Sequence, residues 1–85
     1  MFGAHGIFFD GLMIGLVVDE TLYLKTDAET VDAFTELGMT QFQYRKRDKL
    51  VGLSYYTAPE EALEEPAELH RWAELAYAAA LRAKS

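Results

Sequence analysis

The sequence contains no cysteine and only two histidines among its 85 residues. The absence of cysteine excludes a disulfide framework, a thiolate metal site and a cysteine nucleophile. His5 has only Asp10 nearby, which is too few ligands for a metal, and His70 has no second histidine at helical spacing. We therefore predict two structural or surface histidines, with no metal site and no cofactor.

Long hydrophobic runs are also absent, since no apolar stretch approaches the roughly 20 residues that a helix needs to cross a bilayer. The first eleven residues are apolar, but they lack a basic segment and contain Asp10 and three glycines, so they do not resemble a targeting peptide. The lack of cysteine is typical of the reducing cytosol. We expect a cytoplasmic protein without membrane insertion, folded as one domain over residues 1–85.

Basic residues are scarce, with eight Lys and Arg against fourteen Asp and Glu and a net charge of -6. An acidic surface repels phosphate, so direct nucleic-acid binding is not expected. Half of the basic residues nevertheless lie close together, in a group that we call the basic tip: Arg45, Lys46, Arg47 and Lys49. The basic tip has two interpretations, a contact for phosphates or an acidic partner, or a solvated turn whose charges prevent aggregation of an edge. The second is favoured because the other faces are acidic.

The first third of the sequence has the pattern of a three-stranded meander. A short apolar run at 7–9 ends at Asp10-Gly11, a dipeptide typical of hairpin turns. A nearly continuous apolar run at 12–18 predicts a strand that is covered on both faces. A turn at 19–20 and an alternating segment at 21–25 complete three antiparallel strands.

A helix is predicted next. Thr26 and Glu29 have the spacing of a capping box, Val31 and Phe34 recur at helical spacing, and Gly38 supplies a residue that tolerates the left-handed conformation at the helix end.

The second half of the sequence predicts a hairpin and a final helix. Alternating segments at 41–45 and 51–56 flank a polar turn at 45–49, and Pro66 suits the first position of a helix. One apolar stripe of this helix comprises Leu69, Trp72, Ala76, Ala79 and Ala83. The order β-β-β-α-β-β-α predicts an α+β fold, an antiparallel sheet with helices packed on it, and Phe34 and Trp72 are expected to be buried against the same sheet.

No catalytic arrangement is recognisable. Ser54 and Thr57 lack the histidine and aspartate motif of a triad, and the glutamates near the last helix are explained as a solvated face that matches the helix dipole: Glu60, Glu61, Glu64, Glu65 and Glu68. We therefore predict no catalytic residues and no enzymatic activity.

Four aromatic residues form the remaining candidate site: Tyr44, Tyr55, Tyr56 and Trp72. Aromatic clusters most often complete a core or an interface. The alternative is a small-ligand pocket or an enzyme site that uses this cluster.

Several motifs, in order along nearly the whole sequence, resemble the TfoX N-terminal domain family. They are Met1-Phe2-Gly3-Ala4-His5-Gly6, Asp10-Gly11-Leu12-Met13, Leu22-Tyr23-Leu24-Lys25, Phe42-Gln43-Tyr44, Leu53-Ser54-Tyr55-Tyr56 with Pro59 and Glu60, and Trp72-Ala73. The resemblance implies an α+β domain like that of secretion chaperones. It also implies a non-enzymatic protein-interaction module, an accessory to the regulation of transcription or competence in bacteria. No functional residue of the family carries over.

The resemblance further implies a homodimer. The family has a helix before its Met-Phe-Gly motif, whereas this sequence begins at that motif, so we expect the leading helix to be lacking. Apolar residues at Phe2, 7–9 and 12–18 would then be exposed, and pairing of identical faces or sheet edges across a two-fold axis would bury them. Protein partners, including transcription machinery, are the other expected contacts.

Overall fold

Five strands and three helices make up residues 4–84, the part of the chain that the computed structural model describes. In chain order they are β1 (Ala4–Phe9), β2 (Leu12–Val18), β3 (Thr21–Lys25), α1 (Val31–Thr35), β4 (Gln41–Lys46), β5 (Lys49–Thr57), α2 (Glu60–Glu64) and α3 (Pro66–Lys84). The predicted α+β class and element order are confirmed, with the short helix α2 as an addition before α3.

Two tight turns build the meander of β1, β2 and β3, as predicted. Asp10 and Gly11 have φ angles of 56° and 79°, and Asp19 and Glu20 have φ angles of 51° and 62°. Two-residue turns with positive φ at both positions match the right-handed twist of the strands that they join. The second turn achieves this without glycine, at a cost in backbone strain.

All neighbouring strands are antiparallel, in the order β1-β2-β3-β5-β4. The chain leaves β3, passes through α1 and enters the sheet again at the far edge as β4. It then returns as β5, which pairs with β3. The edges of the sheet are therefore β1 and β4.

A bulge in β2 divides its side chains between the two faces of the sheet. The register shifts between Ile7 and Phe8 of β1, which leaves Ile14 without a partner opposite it. An extra residue interrupts the two-residue alternation of a strand. As a result Ile14 belongs to the core beneath the helices, whereas Leu16, two residues later, belongs to a cluster on the opposite face.

The main core lies between the sheet and the helices. Phe34 is 0% exposed and Trp72 is 3% exposed, and their ring centroids are 4.9 Å apart in an edge-to-face arrangement. Both predictions of burial are confirmed. The remaining buried members of this core are Ile14, Leu24, Ala58, Ala62, Ala76 and Ala80.

The other face of the sheet carries a second apolar cluster, which we call the open face. Its buried members are Leu16, Phe42 and Tyr55, and its half-buried members are Ala4, Met13, Val18, Tyr23, Tyr44 and Leu53. Every one of these residues lies in a strand, so within residues 4–84 no helix contributes to the cluster. In the described part of the chain, the helices cover one side of the sheet.

The start of α1 differs from the predicted capping box. The Glu29 backbone N–H donates to Asp27 Oδ1 at 3.0 Å, and the Thr30 N–H donates to the same oxygen at 3.1 Å. Thr26, the predicted cap, is buried. The Asp27 carboxylate therefore accepts from the Glu29 N–H, the donor that the Thr26 hydroxyl was expected to satisfy, and the N-cap residue of α1 is Thr30. The helix itself spans only Val31–Thr35.

Other local predictions are partly confirmed. Gly38 has the expected positive φ of 77°, and α3 begins at Pro66. The predicted stripe of α3 is wrong at both ends, since Leu69 and Ala83 are exposed and Ala80 is buried instead. The buried residues of α3 all lie between Trp72 and Ala80, so the first and last turns of the helix contribute none.

The predicted exposure of apolar residues is also only partly confirmed. Ile7, Phe8 and Phe9 are exposed, but Ile14 and Leu16 of the 12–18 segment are buried. The two buried residues pack on opposite faces because of the bulge. The predicted exposure of Phe2 concerns the Met-Phe-Gly motif, which lies outside the described residues.

Candidate functional site

The basic tip lies at the end of the β4–β5 hairpin, with all four cations exposed. Only Arg47 and Asp48 form the turn, and Arg47 has a φ of 58°. Strand pairing extends further than predicted, so that Lys46 lies opposite Lys49 and Arg45 belongs to β4. The structure thus brings the four predicted residues together, in a shorter turn than the sequence indicated.

The four aromatic residues of the second candidate site do not form one cluster. Tyr44 and Tyr55 belong to the open face, whereas Tyr56 and Trp72 pack in the core beneath the helices. Tyr55 and Tyr56 are adjacent in β5, and adjacent residues of a strand point to opposite faces. The interpretation of these residues as a single site is wrong.

The aromatic rings of the open face pack mainly against one another. Tyr23 and Phe42 have ring centroids 5.0 Å apart in an edge-to-face arrangement, and Phe42 and Tyr44 are stacked at 6.3 Å. The Tyr55 hydroxyl donates to the Met13 carbonyl oxygen at 3.4 Å, and burial raises the pKa of Tyr55. Together with the aliphatic members of the cluster, these rings make an apolar floor that extends across all five strands.

The charged side chains that the described strands place on the open face are lysines. Lys25 Nζ lies 5.2 Å from the centroid of the Tyr55 ring, within the range of a cation–π contact. Lys46 is two residues beyond Tyr44 and lies opposite Lys49, so the alternation of strands places both lysines on the open side. All fourteen acidic residues lie outside the five strands. The acidic charge of the chain is therefore concentrated in its helices, turns and loops.

A groove lies on the helix side of the sheet. It has a volume of about 270 Å³ and lies between Phe9, Ile14 and one face of α3. Tyr77 lines the groove, where its hydroxyl donates to Asp10 Oδ2 at 3.0 Å and its ring packs edge-on against Phe9 at 5.0 Å. The hydrogen bond to Asp10 raises the pKa of Tyr77. The groove is just below the usual volume of small-molecule pockets, about 300–1,000 Å³.

The two histidines lie at the surface, as predicted. His70 Nδ1 is 3.0 Å from Glu74 Oε1 on the next turn of α3, at the rim of the groove. His5 is exposed on the edge strand β1. Within residues 4–84 no three His, Asp or Glu side chains are grouped so that they would hold a metal ion.

An ionic contact that the sequence did not indicate joins the end of α3 to the segment before α1. Arg82 Nε donates to Asp27 Oδ2, Arg82 Nη2 donates to Asp27 Oδ1 at 3.1 Å, and Arg82 Nε lies 3.1 Å from Glu29 Oε2. The Arg82 guanidinium is the main cause that lowers the pKa of Asp27 to about 2. The Asp27–Arg82 pair holds the end of α3 against the segment that leads into α1.

The helices of the described chain include none that is both long and apolar enough to span a bilayer.

Comparison with known proteins identifies the family. The sequence profile of the TfoX N-terminal domain matches residues 1–80. The chain is also similar to DNA transformation protein TfoX1 of Aliivibrio fischeri, with 33% identity over 69 residues. That match covers 81% of this chain but only 33% of the relative, so the chain spans about a third of the relative's length. The profile match over nearly the whole chain shows that the protein belongs to the TfoX N-terminal domain family.

Proposed function

We propose that this protein is a non-enzymatic protein-interaction module that takes part in the regulation of DNA transformation. In this proposal it acts in the bacterial cytoplasm as an accessory to transcription of competence genes. Two comparisons support this proposal. The chain belongs to the TfoX N-terminal domain family, and the name of its relative describes that relative as a DNA transformation protein.

The observation that carries the proposal is the open face. Nine apolar or aromatic residues of the strands cluster there, and no helix of the described chain joins them. Six of the nine are half-buried, and a group of partly exposed apolar side chains on one face is typical of a site where another protein binds. Interactions through such a face need no catalytic group, and within residues 4–84 the site residues are aromatic, aliphatic and lysine side chains.

A small-ligand site or an enzyme is the second candidate. The aromatic cluster on which it depended is divided between two faces. The groove between Phe9 and α3 is the place that still favours it, because His70 and Glu74 are paired at its rim. A ligand bound there would protect Tyr77 and Phe9, which a screen of small molecules by thermal shift and NMR would detect.

The proposal includes a two-fold dimer that forms through the edge strand β1. Its residues Ala4–Phe9 carry no Asp, Glu, Lys or Arg, and Ile7, Phe8 and Phe9 are exposed. Uncharged edge strands with exposed apolar side chains pair readily with another strand. The opposite edge, β4, ends in Arg45 and Lys46, which discourage such pairing. Two β1 strands related by a two-fold axis would join two sheets into one.

Deletion of the gene in the source bacterium tests the regulatory role. We expect a lower transformation frequency and lower transcript levels of DNA-uptake genes, both restored by the chain expressed from a plasmid. Unchanged transformation and unchanged transcripts after deletion would contradict the proposed function.

A further inference from the structure

We propose that the open face binds an amphipathic helix of a partner protein, one whose apolar stripe is flanked by acidic residues. This inference rests on the proposed function and deepens it, since it names the surface and the chemistry of the segment that the surface takes.

The apolar residues of the open face require an apolar stripe on the partner helix. Leu16, Val18, Tyr23 and Leu53 belong to the same cluster as Phe42, which is itself only 5% exposed. Sheets bury an apolar face most effectively against a helix or a second sheet. The helix layer on the other side of the same sheet, built on Phe34 and its neighbours, already follows this arrangement.

The width of the open face, measured across its strands, sets the length of the partner helix. Neighbouring strands are about 4.8 Å apart, so a path across the five-stranded sheet is about 19 Å long. At 1.5 Å per residue this corresponds to a helix of about 13 residues. Such a helix would present three or four apolar side chains to the floor.

The lysines of the open face determine which residues should flank the apolar stripe of the partner helix. Lys25 lies over the ring of Tyr55, and Lys46 and Lys49 extend the open face towards the basic tip. The strands contain no carboxylate, and Asp48 in the β4–β5 turn is the one acidic residue beside Lys46 and Lys49 at the described hairpin tip. A partner with Glu or Asp beside its apolar residues would form ion pairs with these lysines, and a basic partner would be repelled.

Two other occupants fit the face less well. A second copy docked face to face would set the lysines of one open face against a face whose strands contain no carboxylate to pair with them. Single-stranded nucleic acid needs ring faces on which bases can stack. Of the four rings in this cluster, Phe42 and Tyr55 are buried at 5% and 8% exposure, and Tyr23 and Tyr44 are half-buried. The net charge of -6 also opposes a polyanion, which carries many more charges than one short helix.

Synthetic peptides provide the test. A labelled 16-residue peptide with leucines at helical spacing and glutamates beside them would be titrated with the full chain, and binding measured by fluorescence anisotropy. Two further peptides replace every glutamate by lysine, or keep the composition but scramble the order so that the leucines share no face. We expect the acidic amphipathic peptide to bind at least tenfold more tightly than either.

Matched charge reversals identify the surface. The variant K46E/K49E alters the open face, whereas R71E/K84E makes the same change in net charge on α3. We expect the first to weaken binding of the acidic peptide at least tenfold and the second to change it less than twofold. Circular dichroism melts would establish that both variants fold. NMR shifts of the labelled chain should lie in β2, β3, β4 and β5.

Several results would overturn the inference. They are no binding of the acidic peptide up to millimolar concentration, equal binding of the lysine peptide, tighter binding of an oligothymidine of 16 nucleotides, or NMR shifts confined to the helices. The deletion experiment described above judges the proposed function separately, because a bacterium that transforms normally without the gene would contradict that function whatever the peptides show.

Discussion

Leu24 provides the sharpest test of the core beneath the helices. It is 3% exposed and lies in the middle strand of the sheet, β3. Its cross-strand neighbours are Gly15 and Tyr56. Replacement of Leu24 by alanine removes three carbon atoms from this site. Gly15 has no side chain that could move into the space, and on the helix side the core includes alanines, which are too short to fill it.

The expected loss lies in the upper part of the range for such substitutions. Leu→Ala changes in cores cost about 2–5 kcal/mol, and more where the surroundings cannot collapse. We therefore expect Leu24→Ala to lower the free energy of unfolding by about 3–5 kcal/mol. A domain of this length has a total stability of about 4–13 kcal/mol. The loss should lower the Tm by at least about 12 °C.

Leu50→Ala is the matched control, because it makes the same chemical change at a side chain that is 63% exposed. Surface substitutions usually change stability by less than about 0.5 kcal/mol. Urea titrations followed by circular dichroism would give both free energies. A loss below about 1 kcal/mol for Leu24→Ala, or equal losses for the two variants, would refute the described packing.

Four further predictions follow from particular residues. Glu20→Gly should raise the free energy of unfolding by about 1 kcal/mol in urea titrations, because glycine relieves the strain at a φ of 62°; a loss would contradict this. The Asp27 pKa of about 2 lies below its ordinary value of 3.8, so the stabilisation from Asp27 should be complete above pH 4 and be lost as the pH falls towards 2. In acid titrations the stability difference between the wild type and Asp27→Asn should shrink over that range, and a constant difference would argue against the pair. The basic tip should show no duplex binding in mobility shifts at physiological salt, and tight salt-sensitive binding would disprove this. Sedimentation equilibrium should find a dimer for the wild type and a monomer for Phe8→Lys, whereas a wild-type monomer at all concentrations would exclude the β1 pairing.

The sequence predicted those parts of the fold that depend on neighbouring residues. The Asp10-Gly11 turn, the left-handed Gly38 and the start of α3 at Pro66 each follow from the backbone preferences of one or two residues. The burial of Phe34 and Trp72 was also predictable, because large aromatic side chains in a short chain have few other places to go.

Features that depend on distant residues were not predictable in this way. The pairing of β3 with β5, the bulge at Ile14 and the division of the aromatic residues between two faces all depend on how separate segments meet. Asp27 and Arg82 are 55 positions apart, and nothing in either local pattern indicates the other. The open face was not predicted for the same reason. The sequence identifies apolar positions, but it does not show which of them a helix covers.

The bulge in β2 also fixes the alignment of the sheet. In a regular strand, a slip of one residue against its neighbours moves every side chain to the other face. Strands that are apolar on both faces, as β2 is, would tolerate such a slip well. Here the helix-side core needs Ile14 and the opposite cluster needs Leu16, and a regular alternation puts these two residues on the same side. Only the bulged alignment satisfies both faces at once, so the extra residue protects an otherwise ambiguous apolar strand against mispairing during folding.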